Sequence, residues 1–137
     1  LCSGLVAGLV AITPAAGFVT PRSALMIGLI AGFACYWGAT GLKRMLRADD
    51  SLDVFGVHGI GGIVGSLLTG VFASKTVADV EGSVAIQALS IGAVVLYSLV
   101  VTTLLLLLVH WAIGLRVDEQ SELDGLDLSQ HRERIGT

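Results

Sequence analysis

Residues 53–65 read DVFGVHGIGGIVG, a stretch in which the ring of His58 sits among glycines and aliphatic side chains. An imidazole exchanges its proton near neutral pH, so it can donate, accept or relay one. In an apolar setting such a ring has two readings. As a structural group it stays neutral and hydrogen-bonds to a neighbouring helix; as a functional group it lines a pore or handles a proton. Gly61 and Gly65 form a small-xxx-small face that lets helices approach closely. Close approach leaves little room for water beside the ring, which suits a small neutral solute better than a hydrated ion. His110, beside Trp111, reads as an interfacial histidine, and His131 as a solvated one. Cys2 and Cys35 form no CxxC pair and read as small buried hydrophobes. No cofactor, no metal and no enzyme chemistry is expected.

The solvent around His58 follows from the elements that carry it. Hydrophobic residues make up 54% of the chain and charged residues 14%, against about 25% charged in an ordinary soluble domain. The charges cluster between Lys43 and Asp53 and in the tail from Arg116 onward, leaving only Arg22, Lys75, Asp79 and Glu81 elsewhere. Four charge-free runs remain: Leu1–Pro21, Ser23–Leu42, Val54–Ser74 and Gly82–Leu115. A helix of about 20 apolar residues crosses the hydrocarbon layer of ~30 Å. The expected fold is therefore an all-α polytopic membrane protein. Its bundle occupies residues 1–115, with spans near 1–17, 22–46, 53–74 and 83–114, and a cytoplasmic tail occupies 116–137. Lys43, Arg44 and Arg47 crowd the second connection and Arg116 follows the last span. Basic residues in short loops mark the cytoplasmic side, and two crossings separate these sites, so both face the same compartment. Arg22 and Lys75 then lie outside, each alone in its loop. The sequence begins inside an apolar run without methionine and reads as the C-terminal piece of a longer chain.

Thr13-Pro14 is expected to end the first span and Thr20-Pro21 to precede the second, whose Gly28, Gly32 and Gly38 suit close helix contact. The acids of RADDSLD favour a helix start, because exposed N–H groups there are partly positive. His58 then lies roughly 8 Å beyond Asp53, inside the hydrocarbon layer, where an ionisable group faces the bundle interior or a cavity. The fourth run would extend roughly 50 Å as a helix, so it must tilt or project, and Gly114 is placed to end it. The tail has too few apolar residues for a core and reads first as a solvated tail, but Leu115, Val117, Leu123, Leu126 and Leu128 recur regularly enough to dock on its own protein or on a partner.

LVAITPAAG, GLKRMLRADDSLDVFGVHGIGGIVG, TGVFAS and GLRVDEQSELDGLDLSQH together resemble the C-terminal part of the ammonium transporter (Amt/Mep/Rh) family. The resemblance implies the last four helices of an eleven-helix inverted-repeat fold, a homotrimer with a pore in each subunit, and residence in the plasma or inner membrane. In the family, ammonium loses its proton at an outer site, and ammonia crosses a hydrophobic pore lined by twin histidines that help relay the proton. His58 matches the second of these histidines. By the same resemblance, Asp53 opens the histidine-bearing helix, Val54 and Val6 fall at pore-lining positions, and Ser3 and Thr13 fall at polar positions of the first span here. Gly114, Leu115 and Arg116, Gly125, Leu126 and Asp127, and His131 resemble the region that couples subunits and docks a PII-type signalling protein. The ending HRERIGT departs from the family's usual glycine after that histidine. An ammonium sensor of the same fold, signalling through its tail, is the alternative.

Overall fold

The computed structural model describes residues 2–47 and 49–133. Leu1, Ala48 and the RIGT of the HRERIGT ending lie outside the described residues. The first run forms α1, Cys2–Ile12, and a 3-10 turn over Thr13–Ala15 that carries Pro14. Proline at this point removes an N–H donor and clashes with the preceding turn, so the α-helical register stops. The second run forms α2, Pro21–Leu46. Thr20 caps it by accepting from the Ser23 N–H, and Pro21 occupies the first turn, where its missing N–H costs nothing. Arg22 therefore lies in the first turn of α2 and not in a loop. Arg47, in the left-handed region at φ 49°, ends the helix.

The third run forms α3, Phe55–Phe72. A short helix, α4, covers Lys75–Ala78, and the fourth run forms α5, Val84–Ala112. In the tail, α6 spans Glu119–Asp124 and a π-type turn spans Asp127–His131. Of these, α2, α3 and α5 are long and apolar enough to cross a membrane. By internal contacts the chain divides into Leu1–Val94 and Val95–Thr137, a division inside α5.

In the first unit, α1, α2 and α3 pack against one another. Their core is built from small side chains. Ala11, Ala15, Ile27 and Ala31 form one cluster, flanked by Ile12, Val19, Leu68 and Phe72. Ala7, Cys35 and Val57 form a second, flanked by Val10. In lipid, where no hydrophobic force drives helices together, close backbone approach over small residues supplies the packing. Cys35 is buried as expected; Cys2 is exposed, since no helix of the described chain covers its side of α1. A Cβ added at Gly65 would collide with the Ala11 carbonyl, so α3 closes on α1 through backbone. A Cβ added at Gly28 or Gly32 would meet no neighbouring atom in the described chain, whereas one at Gly38 would press on Gly56. Lys75 opens α4, and its ammonium pairs with Glu81.

No residue of α5 is buried among the described residues. At 29 residues it extends about 44 Å, well beyond a hydrocarbon layer of ~30 Å. It ends at Ala112, and Gly114 follows at φ 82° with its N–H on the His110 carbonyl, 3.1 Å away.

Candidate functional site

Two departures from α-helical geometry face each other in the first unit. Gly38–Leu42 of α2 and Phe55–Gly59 at the start of α3 both take the wider π form. Such turns carry one extra residue and recur at functional sites. They meet at Gly38 and Gly56. A Cβ on Gly56 would lie 2.6 Å from the Ala39 nitrogen, and one on Gly38 would lie 2.9 Å from the Gly56 oxygen. Only glycine fits this crossing, which brings backbone against backbone. Gly56 was not singled out from the sequence, although its place two residues before His58 in FGVHG was visible there.

His58 belongs to the α3 π segment. It is exposed, and its ring makes no hydrogen bond among the described residues. The helix buries Val57, Gly61, Gly65 and Thr69 at every fourth position, which leaves the imidazole outside this packed stripe. Val54, one turn before His58, is also exposed, as is Val6 on α1. At the residue before His58, the Cys35 thiol donates to the Val57 carbonyl across 3.6 Å.

The start of α3 is held by two acids, not one. Asp50 does the capping: its Oδ1 accepts from the Val54 N–H at 2.8 Å and its Oδ2 from the Phe55 N–H at 2.9 Å. Asp53 contributes its backbone carbonyl, which accepts the Val57 N–H at 2.9 Å. Its side chain turns to α2, where Lys43 Nζ lies 2.7 Å from Oδ1. This geometry places Asp53 in the left-handed region at φ 54°. A charged acceptor satisfies two orphan helix N–H groups at once, and the partial positive charge there favours it. The sequence showed three acids before the helix; it did not show that the Ser51-Leu52 turn folds the earlier one back over the first N–H groups. Lys43, counted from sequence only as a topological signal, was missed as the partner of Asp53.

A cleft of about 320 Å3 opens between α1, α2 and the start of α3. Ser3, Ala7, Tyr36, Thr40, Asp53 and Val57 are among its lining residues. It joins Ser3 and Asp53, while His58, Val54, Val6 and Thr13 lie off its wall. The Thr40 hydroxyl donates to the Tyr36 carbonyl at 2.7 Å. Thr13 does the same to Leu9, also at 2.7 Å. With its proton so committed, each hydroxyl keeps lone pairs that can accept from another donor.

In the tail, Arg116 forks onto Glu122, with Nε to Oε1 at 3.0 Å and Nη2 to Oε2 at 3.2 Å. Asp118 caps α6 through the Ser121 N–H at 3.0 Å and the Ser121 hydroxyl at 2.7 Å. The Ser121 side chain first, and its backbone N–H second, hold the Asp118 carboxyl below the ordinary aspartate range. Gly125 turns at φ 90°, and Leu115, Leu126, Asp127 and His131 are all exposed. Among the described residues, no cluster of three His, Cys, Asp or Glu side chains is placed to hold a metal ion.

Comparison with known proteins gives this arrangement a family. The chain is 43% identical over 141 residues to an ammonium transporter of Bacillus subtilis, covering 96% of this chain and 35% of that one. It is 46% identical over 141 residues to an ammonium transporter of Aquifex aeolicus, covering 98% and 33%. The crystal structure of Saccharomyces cerevisiae Mep2 superposes with a TM-score of 0.78 at 41% identity, over 88% of this chain and 30% of that one. The chain thus spans about a third of the length of the curated relatives it matches. The sequence profile described as Ammonium Transporter Family matches residues 1–135. With apolar helices long enough to cross a membrane and this match along nearly its whole length, the chain is a membrane protein that belongs to the ammonium transporter family.

Proposed function

We propose that this chain forms part of a transporter that moves ammonium across the plasma or inner membrane as ammonia, with His58 as one of two imidazoles in the conducting path. The observation that carries this reading is the state of His58: an exposed ring on a π turn, unpaired among the described residues, on a stretch without Asp, Glu, Lys or Arg from Val54 to Phe72. A ring that needed only structural satisfaction would find a partner inside the bundle, since unpaired polar groups in lipid are costly. A ring left open toward a second half of the pore can accept a hydrogen bond from a passing ammonia, or relay the proton that ammonium released outside. Deprotonation before entry removes the charge that an apolar path resists. Val54 and Val6 supply aliphatic wall beside the ring, Ser3 and Thr13 supply acceptors, and Asp53 helps hold the helix start. Basic residues at Lys43, Arg44, Arg47 and Arg116 assign that end of the helices, and the tail, to the cytoplasm. The tail, through Gly114 to Arg116, Gly125 to Asp127, and His131, then serves subunit coupling in a homotrimer or the docking of a PII-type protein.

The test is ammonium-induced current in liposomes, using the full-length transporter that contains this chain. His58→Ala abolishes selective, electrogenic ammonia transport, and His58→Asp or His58→Glu leaves an altered or leaky conductance. Parental current and selectivity in His58→Ala would reject the central role of the ring.

A further inference from the structure

The His58 ring has no hydrogen-bonding partner among the described residues, so its position must be fixed through the backbone that carries it. That backbone is a π segment, in which the helical hydrogen-bond ladder is locally irregular. The Ile60 N–H is shared between the carbonyls of Phe55 and Val57. The Val57 carbonyl thus lies where the ladder changes step, and a carbonyl oxygen has a second lone pair that can take a further donor. Val57 is itself buried, and its carbonyl belongs to the peptide unit whose nitrogen is that of His58. The one side chain that supplements the bond is the Cys35 thiol, buried beside Ala7 and Val57 and 3.6 Å from that oxygen. The Gly38–Gly56 crossing, less than one turn further along α2, brings the two helices close enough for a thiol to reach.

We propose that Cys35 is a positioning residue: its thiol, by donating to the Val57 carbonyl, fixes the peptide that presents His58 to the conducting path. The proposal rests on the transport role given to His58 above. A thiol suits this task in lipid. It is a weak donor that carries no charge and packs as a small hydrophobe. It steadies the carbonyl without introducing a strong polar group beneath the path.

The experiment uses the full-length transporter in liposomes, reading maximal ammonium-induced current, half-saturating ammonium concentration and the pH profile of the current, normalised to inserted protein. Cys35→Ala lowers the maximal current about two- to tenfold, as expected for one lost hydrogen bond felt mainly at the conducting step. It also displaces the pH profile and leaves the half-saturating concentration unchanged. Cys35→Ser restores a donor and recovers most of the current and the parental pH profile. The proposal is overturned if Cys35→Ala keeps the parental current and pH profile, or if both variants are impaired equally, which would assign the effect to side-chain volume. His58→Ala measured in parallel separates the two readings. If it conducts normally, the role of the ring fails. If it is inactive while Cys35→Ala behaves as the parent, only the positioning role fails.

Discussion

Charge at the start of α3 is divided between two carboxylates in different surroundings, and their energetic weights differ accordingly. Asp50 accepts from two backbone N–H groups that have no other helical partner, an arrangement worth on the order of 1–2 kcal/mol. The Lys43–Asp53 pair is about one-third exposed on both sides, so solvent and salt screen it to below about 1 kcal/mol. Asp50→Ala is therefore expected to lower thermal stability in detergent more than Lys43→Ala, and only the Lys43 effect should shrink as salt is raised. The opposite ranking would show that the ion pair, not the cap, holds the helix start. In the tail, Asp118 gives a pH dependence of definite sign. Its folded carboxyl is held low by Ser121, so the cap's contribution is fully present above the ordinary aspartate value and is lost as pH falls below it. Amide protection at Ser121 should fall on acidification through that range, and Asp118→Asn should remove this dependence.

At the scale of elements, α2 and α3 bring backbone against backbone where both helices leave α geometry. Gly56→Ala would place a methyl 2.6 Å from backbone that cannot swing aside. Overpacking of this kind costs about 1–3 kcal/mol, and here the strain falls on the segment carrying His58. The expected result is a lower melting temperature together with reduced transport in the full-length protein; unchanged values for both would mean that the crossing is looser than its geometry implies. This scale also separates what could be read from the sequence from what could not. Charge-free runs, Pro14, Pro21 and Gly114 mark helices and their ends, because hydropathy and backbone restriction act locally. The Gly61–Gly65 face was legible for the same reason. The π segments were not, since nothing in GATGL or FGVHG distinguishes an i+5 ladder from an i+4 one until the partner helix is present. Asp50 escaped notice because its role depends on a turn, and Cys35 because its acceptor lies on another helix. Within the candidate site, His58 could be singled out from its surroundings, but that its ring is unpaired among the described residues emerges only from three-dimensional packing.

For the molecule as a whole, α5 is apolar around its full circumference and buried nowhere in the described chain. A helix of this kind requires lipid or other protein on every side. His58, Val54 and Val6 are likewise exposed, as are Leu5, Leu9, Leu25, Leu29 and Phe33 on the outer faces of the bundle. The 137-residue chain reconstituted alone in liposomes is therefore expected to give no ammonium-induced current, while the full-length protein beside it conducts. Robust uptake of methylammonium by the chain alone would show that three packed helices and α5 suffice for a path. The π turn in α3 has a further consequence for how such sequences can vary. One extra residue in the turn sets a phase offset between the half of the helix that bears the imidazole and the half that carries Gly61, Gly65 and Thr69. Deleting a single residue between Phe55 and Gly59 would rotate one half against the other by about 100°. The ring would then swing toward the packed stripe, or the stripe toward lipid. Substitutions within this turn can be graded by size and polarity, but a change of length there acts as a switch of register, so selection on this segment should fall on its residue count before its residue types.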